Sequence, residues 1–237
     1  MKKTCLAIFF LALMQLTSGQ NFKIGLAAGY GNYQLKDLKA LQNQLSNYYY
    51  ILNVDPVQQF PGYFNYFASV EYSLNKRNLV GINAGCFSTG GRNAVSDYSG
   101  EYTLDMLLKG TQLGLQYRTI ITEQGGLNLY AKAAGGITFS DLSVNEYFAI
   151  YHVDTVSDKN SYTGRSFFIE PSAGVFFSPV NHFSVDISFG YQVDIQGEFH
   201  EEASKDKILR DLNGDTVHAN WSGLRFALGI SYSIFRE

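Results

Sequence analysis

Two short polar motifs near the end of the chain have the residue types of metal sites but not the spacing. His200-Glu201-Glu202 would begin a zinc-binding helix only if a histidine stood at position 204, where the chain has serine. Asp211-Leu212-Asn213-Gly214-Asp215 begins like a calcium loop, but Ser222 takes the place of the glutamate at its twelfth position. Asn213-Gly214 is typical of a hairpin turn. The sequence therefore predicts no metal and no cofactor. It also contains no recognisable catalytic triad, so we expect no enzymatic activity.

A second polar set carries charges of both signs, each on the polar side of an alternating segment. It consists of Lys23, Arg118, Lys132 and Arg225 with Glu71, Glu170, Asp186 and Asp194. An unpaired charge inside a protein is very costly. Equal numbers of each sign therefore favour paired charges that fill the interior of a barrel. The alternative is a charged pore or relay, but an eight-stranded barrel is only wide enough for its own side chains.

The clearest alternating segment is Phe183–Ile195, in which every odd position is apolar or aromatic and every even position is small or polar. Unbroken alternation of this length predicts a β-strand longer than those of ordinary soluble proteins. Aromatic residues at both ends of the apolar face are typical of membrane-spanning strands. We expect Val185, Ile187, Phe189 and Tyr191 to contact lipid, and Asp186, Ser188 and Asp194 to point into the lumen.

Seven further segments alternate in the same way. They are Phe22–Tyr33, Tyr63–Leu74, Val80–Phe87, a strand within Tyr102–Thr119, Leu127–Phe139, Phe167–Phe177 and Trp221–Phe235. Leu107-Leu108 breaks the alternation, and Pro171 removes a ladder donor, so we expect a bulge at each. Short connections near 75–78, 122–126 and 178–182 alternate with long ones at 34–62, 88–101, 140–166 and 196–220. This sorting predicts an all-β fold, an eight-stranded antiparallel up-and-down transmembrane β-barrel with long external loops.

The first 19 residues have the pattern of a cleaved secretory signal. Lys2 and Lys3 precede the apolar run Cys5–Met14, which is too short to span a bilayer, and small residues end at Gly19. We therefore divide the chain into a signal peptide, 1–19, and a barrel domain, 20–237. Removal of the signal leaves 16 basic residues against 21 acidic ones, near −5, which argues against a nucleic-acid partner. Cys86 remains as the only cysteine, so no intramolecular disulfide is possible.

The first long connection contains a predicted helix. Leu38, Leu41, Leu45 and Tyr48 recur at helical spacing within Asp37–Tyr50. Such a helix could cap the barrel mouth or lie on the membrane, and packing against the barrel rim is the expected arrangement. Aromatic residues are concentrated in the same connection. If an extracellular or envelope partner binds, we expect the contact through the connections 34–62, 140–166 and 196–220.

The signal peptide, eight alternating strands and sorted connections together resemble the outer-membrane protein β-barrel domain family, which is porin-like. The resemblance covers the mature chain. Gly229-Ile230-Ser231-Tyr232-Ser233-Ile234 resembles the assembly signal in the last strand of such barrels. Membership implies a place in the Gram-negative cell outer membrane, with membrane lipid and the barrel-assembly machinery as partners. The function we expect is structural or surface interaction with a plugged lumen. A narrow channel for small solutes is the alternative.

A third possibility comes from a different class. His182-Phe183-Ser184 resembles the His-x-Ser motif of outer-membrane lipid A deacylases. The resemblance implies that the histidine would activate the serine while a carboxylate orients it. The predicted topology, however, places the motif at a periplasmic turn, far from the outer leaflet. We therefore interpret His182 as a turn residue and Ser184 as an ordinary lumen position.

Overall fold

The computed structural model describes residues 22–48, 56–124, 126–151, 153–180, 182–195, 197–204 and 206–234. The predicted signal peptide and its cleavage site lie outside these residues. The elements are β1 (Phe22–Gly31), α1 (Lys36–Tyr48), β2 (Pro56–Gln59), β3 (Tyr63–Ser73), β4 (Asn78–Ser96), β5 (Gly100–Gln124), β6 (Leu127–Ile150), β7 (Asp154–Val180), β8 (Phe183–Ile195), β9 (Gly197–Glu201), β10 (His218–Ala219) and β11 (Gly223–Ile234).

Eight of these strands form a closed antiparallel ring. Its order is β1, β3, β4, β5, β6, β7, β8 and β11, and the pairing of β11 with β1 closes it. The eight-stranded barrel expected from the sequence is thus confirmed. Its two connections of more than ten residues, between β1 and β3 and between β8 and β11, leave from the same end. Long connections of such barrels are external, so this end faces outside the cell.

The membrane-facing surface follows the predicted alternation. On β8, Ile187 and Phe189 are 50% and 57% exposed, whereas Ser188 and Asp194 are buried. The predicted orientation of Phe183–Ile195, and its bounds, are therefore confirmed. Aromatic residues pair across strands near both ends of the apolar surface. Phe22 packs against Tyr72 near the periplasmic end, and Tyr30 packs against Phe64 near the external end.

Two predicted long loops are wrong, because most of their residues extend the barrel wall. The connection 88–101 shrinks to the turn 97–99 between β4 and β5. In 140–166, β6 continues to Ile150 and β7 begins at Asp154. With a rise of ~3.3 Å per residue and a tilt near ~40°, the 25 residues of β5 climb roughly 60 Å, well beyond an apolar band of ~25 Å. The wall thus projects into the external medium.

The two predicted bulges are also wrong. The pairing of β5 with both neighbours is continuous through Leu107 and Leu108, and the register shifts instead between Ile120 and Thr122. Leu108 breaks the expected pattern because its side chain points inward and is fully buried. Pro171 stays in register with Ala133 of β6. Glu170 and Pro171 have no partners in the ladder between β7 and β8, and the register is the same before and after them. The ladder therefore tolerates the N–H that proline lacks without the extra residue of a bulge.

The remaining elements cover the external mouth of the barrel. We call the described residues of 33–62 and 197–222 the cap. The cap contains the predicted helix, found as α1, and apolar residues of α1 such as Leu38 and Leu41 are buried. Within the described part of the chain, no helix is both long and apolar enough to cross a membrane. Trp221, expected in the last strand, lies before β11 and is buried in the cap.

Candidate functional site

The lumen contains two buried ion pairs built from four of the predicted charges. Glu71 Oε1 lies 3.1 Å from Arg118 Nε and also accepts a hydrogen bond of 2.7 Å from Gln116. Arg225 Nη1 lies 3.0 Å from Glu170 Oε2 and donates a hydrogen bond of 2.9 Å to Gln112. Neutral amide side chains therefore extend each ion pair into a network. Charge-assisted hydrogen bonds of this kind offset the cost of burying the charges.

The other four predicted charges have different surroundings. Lys23 Nζ lies 4.4 Å from the centre of the Phe176 ring, and Lys132 lines the central cavity. Asp194 accepts hydrogen bonds from Ser166 Oγ at 3.0 Å and from the backbone N–H of Trp221 at 3.2 Å.

The sequence favoured pairing of the lumen charges, but Asp186 has no basic partner within ion-pair distance among the described residues. Its carboxylate instead lies 3.4 Å from the hydroxyl of Tyr130. The register explains this, since Asp186 stands opposite Gly229 on β11, while Arg225 stands opposite Gly190.

A cavity of about 70 Å³ lies at the centre of these networks. Several buried polar atoms around it have no protein hydrogen-bond partner among the described residues, including both amide atoms of Asn65, Nη1 of Arg118 and Nη2 of Arg225. A buried polar group without a protein partner is usually satisfied by water. At 10–15 Å³ for each water centre, the cavity could hold roughly five molecules. The middle of the lumen is therefore polar, with room for water.

Aromatic residues lie across the lumen on the periplasmic side of this cavity. Tyr130 is fully buried, and its ring centre lies 6.0 Å from that of Phe176. The guanidinium of Arg118 lies 4.4 Å from the centre of the Tyr130 ring, and Lys23 lies over Phe176 at the same distance. Cation–π contacts stabilise such an arrangement more when it is shielded from water. We call these four side chains the inner seal.

A second aromatic cluster lies across the lumen on the external side. The ring of Trp221 packs edge-on against Tyr33 at 4.8 Å and against Phe87 at 4.6 Å. Its indole Nε1 donates a hydrogen bond of 2.8 Å to Ser140 Oγ on the barrel wall. The guanidinium of Arg225 lies 5.0 Å from the Phe87 ring and so connects this cluster to the charged network. We call Tyr33, Phe87 and Trp221 the outer seal.

The outer seal is continuous with one apolar core that the cap and the projecting wall share. The wall contributes Tyr102, Leu104, Met106, Leu108 and Leu142, and the cap contributes Leu35, Leu38, Leu41, Phe60, Phe199, Val217, Ala219 and Trp221. Hydrogen bonds surround this core. Asn93 on the wall bonds to Gln42 and Ser46 of α1, and His218 Nδ1 lies 3.1 Å from Asp37 Oδ2. The cap is therefore packed like the interior of a folded domain.

The two metal-like motifs have structural roles. His200 lies in β9 rather than in a helix, and Glu201 forms an ion pair of 3.2 Å with Lys207. Asp211 Oδ1 accepts hydrogen bonds from the backbone N–H groups of Asn213 and Asp215, as in the predicted turn. A hydrogen bond from Gln44 is the main cause that lowers the pKa of the Asp211 carboxyl. Within the described residues, no group of three potential metal ligands could hold an ion.

The serine and histidine of the deacylase-like motif bind different partners. His182 Nδ1 lies 2.8 Å from the backbone oxygen of Ser233, and its ring stacks on Tyr232. Ser184 Oγ lies 3.1 Å from Ser231 Oγ inside the barrel. The motif lies at the turn between β7 and β8, as the topology predicted.

Sequence reasoning missed the neutral residues that complete the site. Gln112 connects Arg225 to Gln192 through a hydrogen bond of 2.8 Å, and Gln116 supports Glu71. The sequence could have identified both glutamines, because each occupies an inward-facing position of a predicted strand. Tyr33 and Trp221 had been assigned to strands, where only alternation was considered.

A closed antiparallel ring with an apolar outer surface and a polar interior defines an integral outer-membrane β-barrel protein. The model of the family described as "Outer membrane protein beta-barrel domain" matches residues 4–233. The chain belongs to this family and is located in the outer membrane of a Gram-negative cell.

The chain is similar to known structures at low sequence identity. The outer membrane protein OprG from Pseudomonas aeruginosa is 12% identical with a TM-score of 0.51, over 92% of this chain and 97% of that one. Ail, the attachment invasion locus protein of Yersinia pestis, is 16% identical with a TM-score of 0.37, over 92% and 100%. The outer membrane protease OmpT from Escherichia coli is 10% identical with a TM-score of 0.37, over 92% and 97%. The likeness to OprG supports the fold alone. No curated protein sequence matches the chain.

Proposed function

We propose that the protein is a closed, non-enzymatic barrel that anchors its cap and projecting wall at the cell surface, where they contact an extracellular or envelope partner. The observation that carries this proposal is the pair of buried aromatic clusters, the inner and outer seals, on either side of the central cavity. A barrel that is closed twice offers no continuous path, whereas its external part has a core of its own. The role of the membrane-embedded barrel is then to hold the folded cap and projecting wall at the cell surface.

The energetics of the outer seal support closure. Trp221 is fully buried, and removal of a buried tryptophan side chain costs about 3–5 kcal/mol. A conducting state would have to move this ring and break its hydrogen bond to Ser140. It would also have to displace Tyr130 and Phe176 from the inner seal. Opening both layers together would be rare at equilibrium.

A narrow channel for small solutes is the second candidate, and one observation favours it. The central cavity of about 70 Å³ has donors and acceptors without protein partners, as a solute path would require. We do not propose lipid A modification, because His182 and Ser184 bond to different partners.

Planar-bilayer recording with the purified full chain tests the proposal. We expect no discrete conductance steps from the wild type. Tyr33→Ala with Trp221→Ala opens only the outer seal, and Tyr130→Ala with Phe176→Ala opens only the inner one, so each pair should remain silent. The four changes combined should conduct. Heat-dependent migration on SDS electrophoresis verifies that each variant is folded. Reproducible steps from the wild type would refute closure and support the channel.

A further inference from the structure

The external part of β7 has one edge that is not paired in the described structure. Residues 154–177 of β7 pair with β6 along one side. On the other side, β8 pairs only with Phe167 and later residues, and β9 only with Tyr162–Gly164. Val156–Asn160 therefore have a strand neighbour on one side only, among the residues described. An exposed strand edge of this kind is a template for pairing with another chain.

The hydrogen-bond pattern of β7 shows which backbone groups of Val156–Asn160 point away from β6. The backbone N–H of Glu202 donates a hydrogen bond of 2.9 Å to the oxygen of Ser161, so the backbone of Ser161 points away from β6. Successive residues of an antiparallel strand bond to alternate sides. The N–H and C=O groups of Ser157 and Lys159 therefore point outward from the edge, while those of Val156, Asp158 and Asn160 point toward β6.

The side chains along this edge have a defined chemistry. Glu146 stands directly opposite Asp158 on the inward-facing side of the sheet. Like charges in directly opposed positions destabilise a sheet. Among the described residues, no ion pair involves either carboxylate. Asp158 accepts a side-chain hydrogen bond of 3.0 Å from Asn160. On the same side, Val156 is 55% exposed. A cation beside Asp158 would relieve the repulsion.

We infer that this edge binds an extended basic polypeptide segment as an additional β-strand. Main-chain hydrogen bonds to Ser157 and Lys159 would supply the register. A lysine or arginine of the ligand would lie beside Asp158 and Glu146, and an apolar side chain would lie beside Val156. A second copy of this chain is a poor occupant, because antiparallel pairing of two β7 edges would bring the two acidic pairs together. The inference rests on the proposed display function and specifies the chemistry of its partner.

Binding of a capped heptapeptide, Thr-Lys-Thr-Lys-Thr-Val-Thr, to the full chain in lipid nanodiscs tests the inference. We expect saturable binding, together with slower hydrogen exchange at the amides of Ser157 and Lys159. The same peptide with glutamate in place of lysine should not bind. The lysine peptide with N-methyl groups on alternate backbone nitrogens should also fail, because it cannot complete the ladder.

Ser157→Pro is the decisive variant. Proline removes an edge-facing donor without breaking the ladder to β6, which edge strands tolerate. It should weaken binding by about tenfold or more, since one hydrogen bond and the fit of the added strand are lost. Asp158→Asn should weaken binding by roughly threefold and reduce its salt dependence. Asp206→Asn, at another exposed acidic site, is the matched control and should bind like the wild type.

Four results would overturn the inference: no binding of the lysine peptide, equal binding of the glutamate peptide, unchanged binding to Ser157→Pro, or an equal loss with Asp206→Asn. Self-association of the chain that Ser157→Pro abolishes would identify a second copy as the occupant instead and would also overturn it. The bilayer experiment is independent of these measurements. A silent barrel that binds no peptide refutes only the inference, and a conducting barrel refutes only the closed state.

Discussion

Ile187 offers the sharpest test of the barrel's orientation in lipid. It lies midway between the aromatic residues Phe183 and Tyr191 and is half exposed on the membrane-facing side of β8. An arginine at the midplane of such a barrel costs ~2–4 kcal/mol, and one near the interface ~0–1 kcal/mol. Val193 lies two residues beyond Tyr191, toward the external boundary, with similar exposure. Ile187→Arg and Val193→Arg are therefore a matched pair that differs in depth.

The assay is reversible denaturant unfolding in lipid vesicles, followed by the fluorescence of Trp221 and by the gel shift of the folded barrel. Trp221 is the only tryptophan, so its signal has one source. Ile187→Arg should lower the folding equilibrium constant by roughly thirty- to several-hundred-fold, the equivalent of ~2–4 kcal/mol. Val193→Arg should change it by less than about fivefold. If the two substitutions cost the same, or if Ile187→Arg folds like the wild type while Ser188→Leu fails, the assigned orientation is wrong.

Two further predictions concern the lumen and the cap. Glu71→Gln should destabilise the barrel by about 3–5 kcal/mol, because Arg118 would stay buried without its carboxylate. The double variant Glu71→Gln with Arg118→Met should lose less than Glu71→Gln alone, and an equal or greater loss would show that the pair is not coupled. Asp211 has a lowered pKa in the folded chain, so its contribution to stability is present above its unfolded pKa near ~3.9 and is lost as pH falls through the folded pKa. Gln44→Ala should raise that pKa toward its ordinary value in an NMR titration, and an unchanged titration would contradict the assigned cause.

The sequence predicted which side of the wall each charge faces, but not which charges pair. The side that a charge faces follows from the alternation of polar and apolar residues, which can be recognised within a single strand. Pairing needs the register of several strands, and Glu71 shows why. Its partner Arg118 lies on β5, with β4 between them. Gly81 stands opposite Glu71 on β4, where an added Cβ would lie 2.9 Å from Glu71 Cα, so the missing side chain leaves the space that the ion pair crosses. Only the assembled barrel brings these three residues together.

The outer seal could not be predicted for a different reason. Trp221 and Tyr33 lie just beyond the ends of β11 and β1, where alternation no longer determines direction. Their packing depends on a close approach of the two segments. The backbone N–H of Asn32 donates a hydrogen bond of 3.0 Å to the oxygen of Leu224, and an added Cβ at Gly223 would lie 1.6 Å from the oxygen of Asn32. A glycine at position 223 is therefore required where the chain enters the last strand.

The predicted strands ended early because the polarity of the alternation reverses along the wall. On β5, the inward residues below Lys109 are small or polar, whereas those above it are apolar and belong to the cap core. On β6 the same reversal occurs above Phe139, at Asp141, and Asp141 stands directly opposite Lys109. Lipid covers the outward side below this pair, and the cap covers the inward side above it. Each strand thus passes through two environments. In the membrane its outward side must be apolar, and above the membrane its inward side must be apolar. The reversal marks the external membrane boundary, and a search for alternation of a single phase will always stop there.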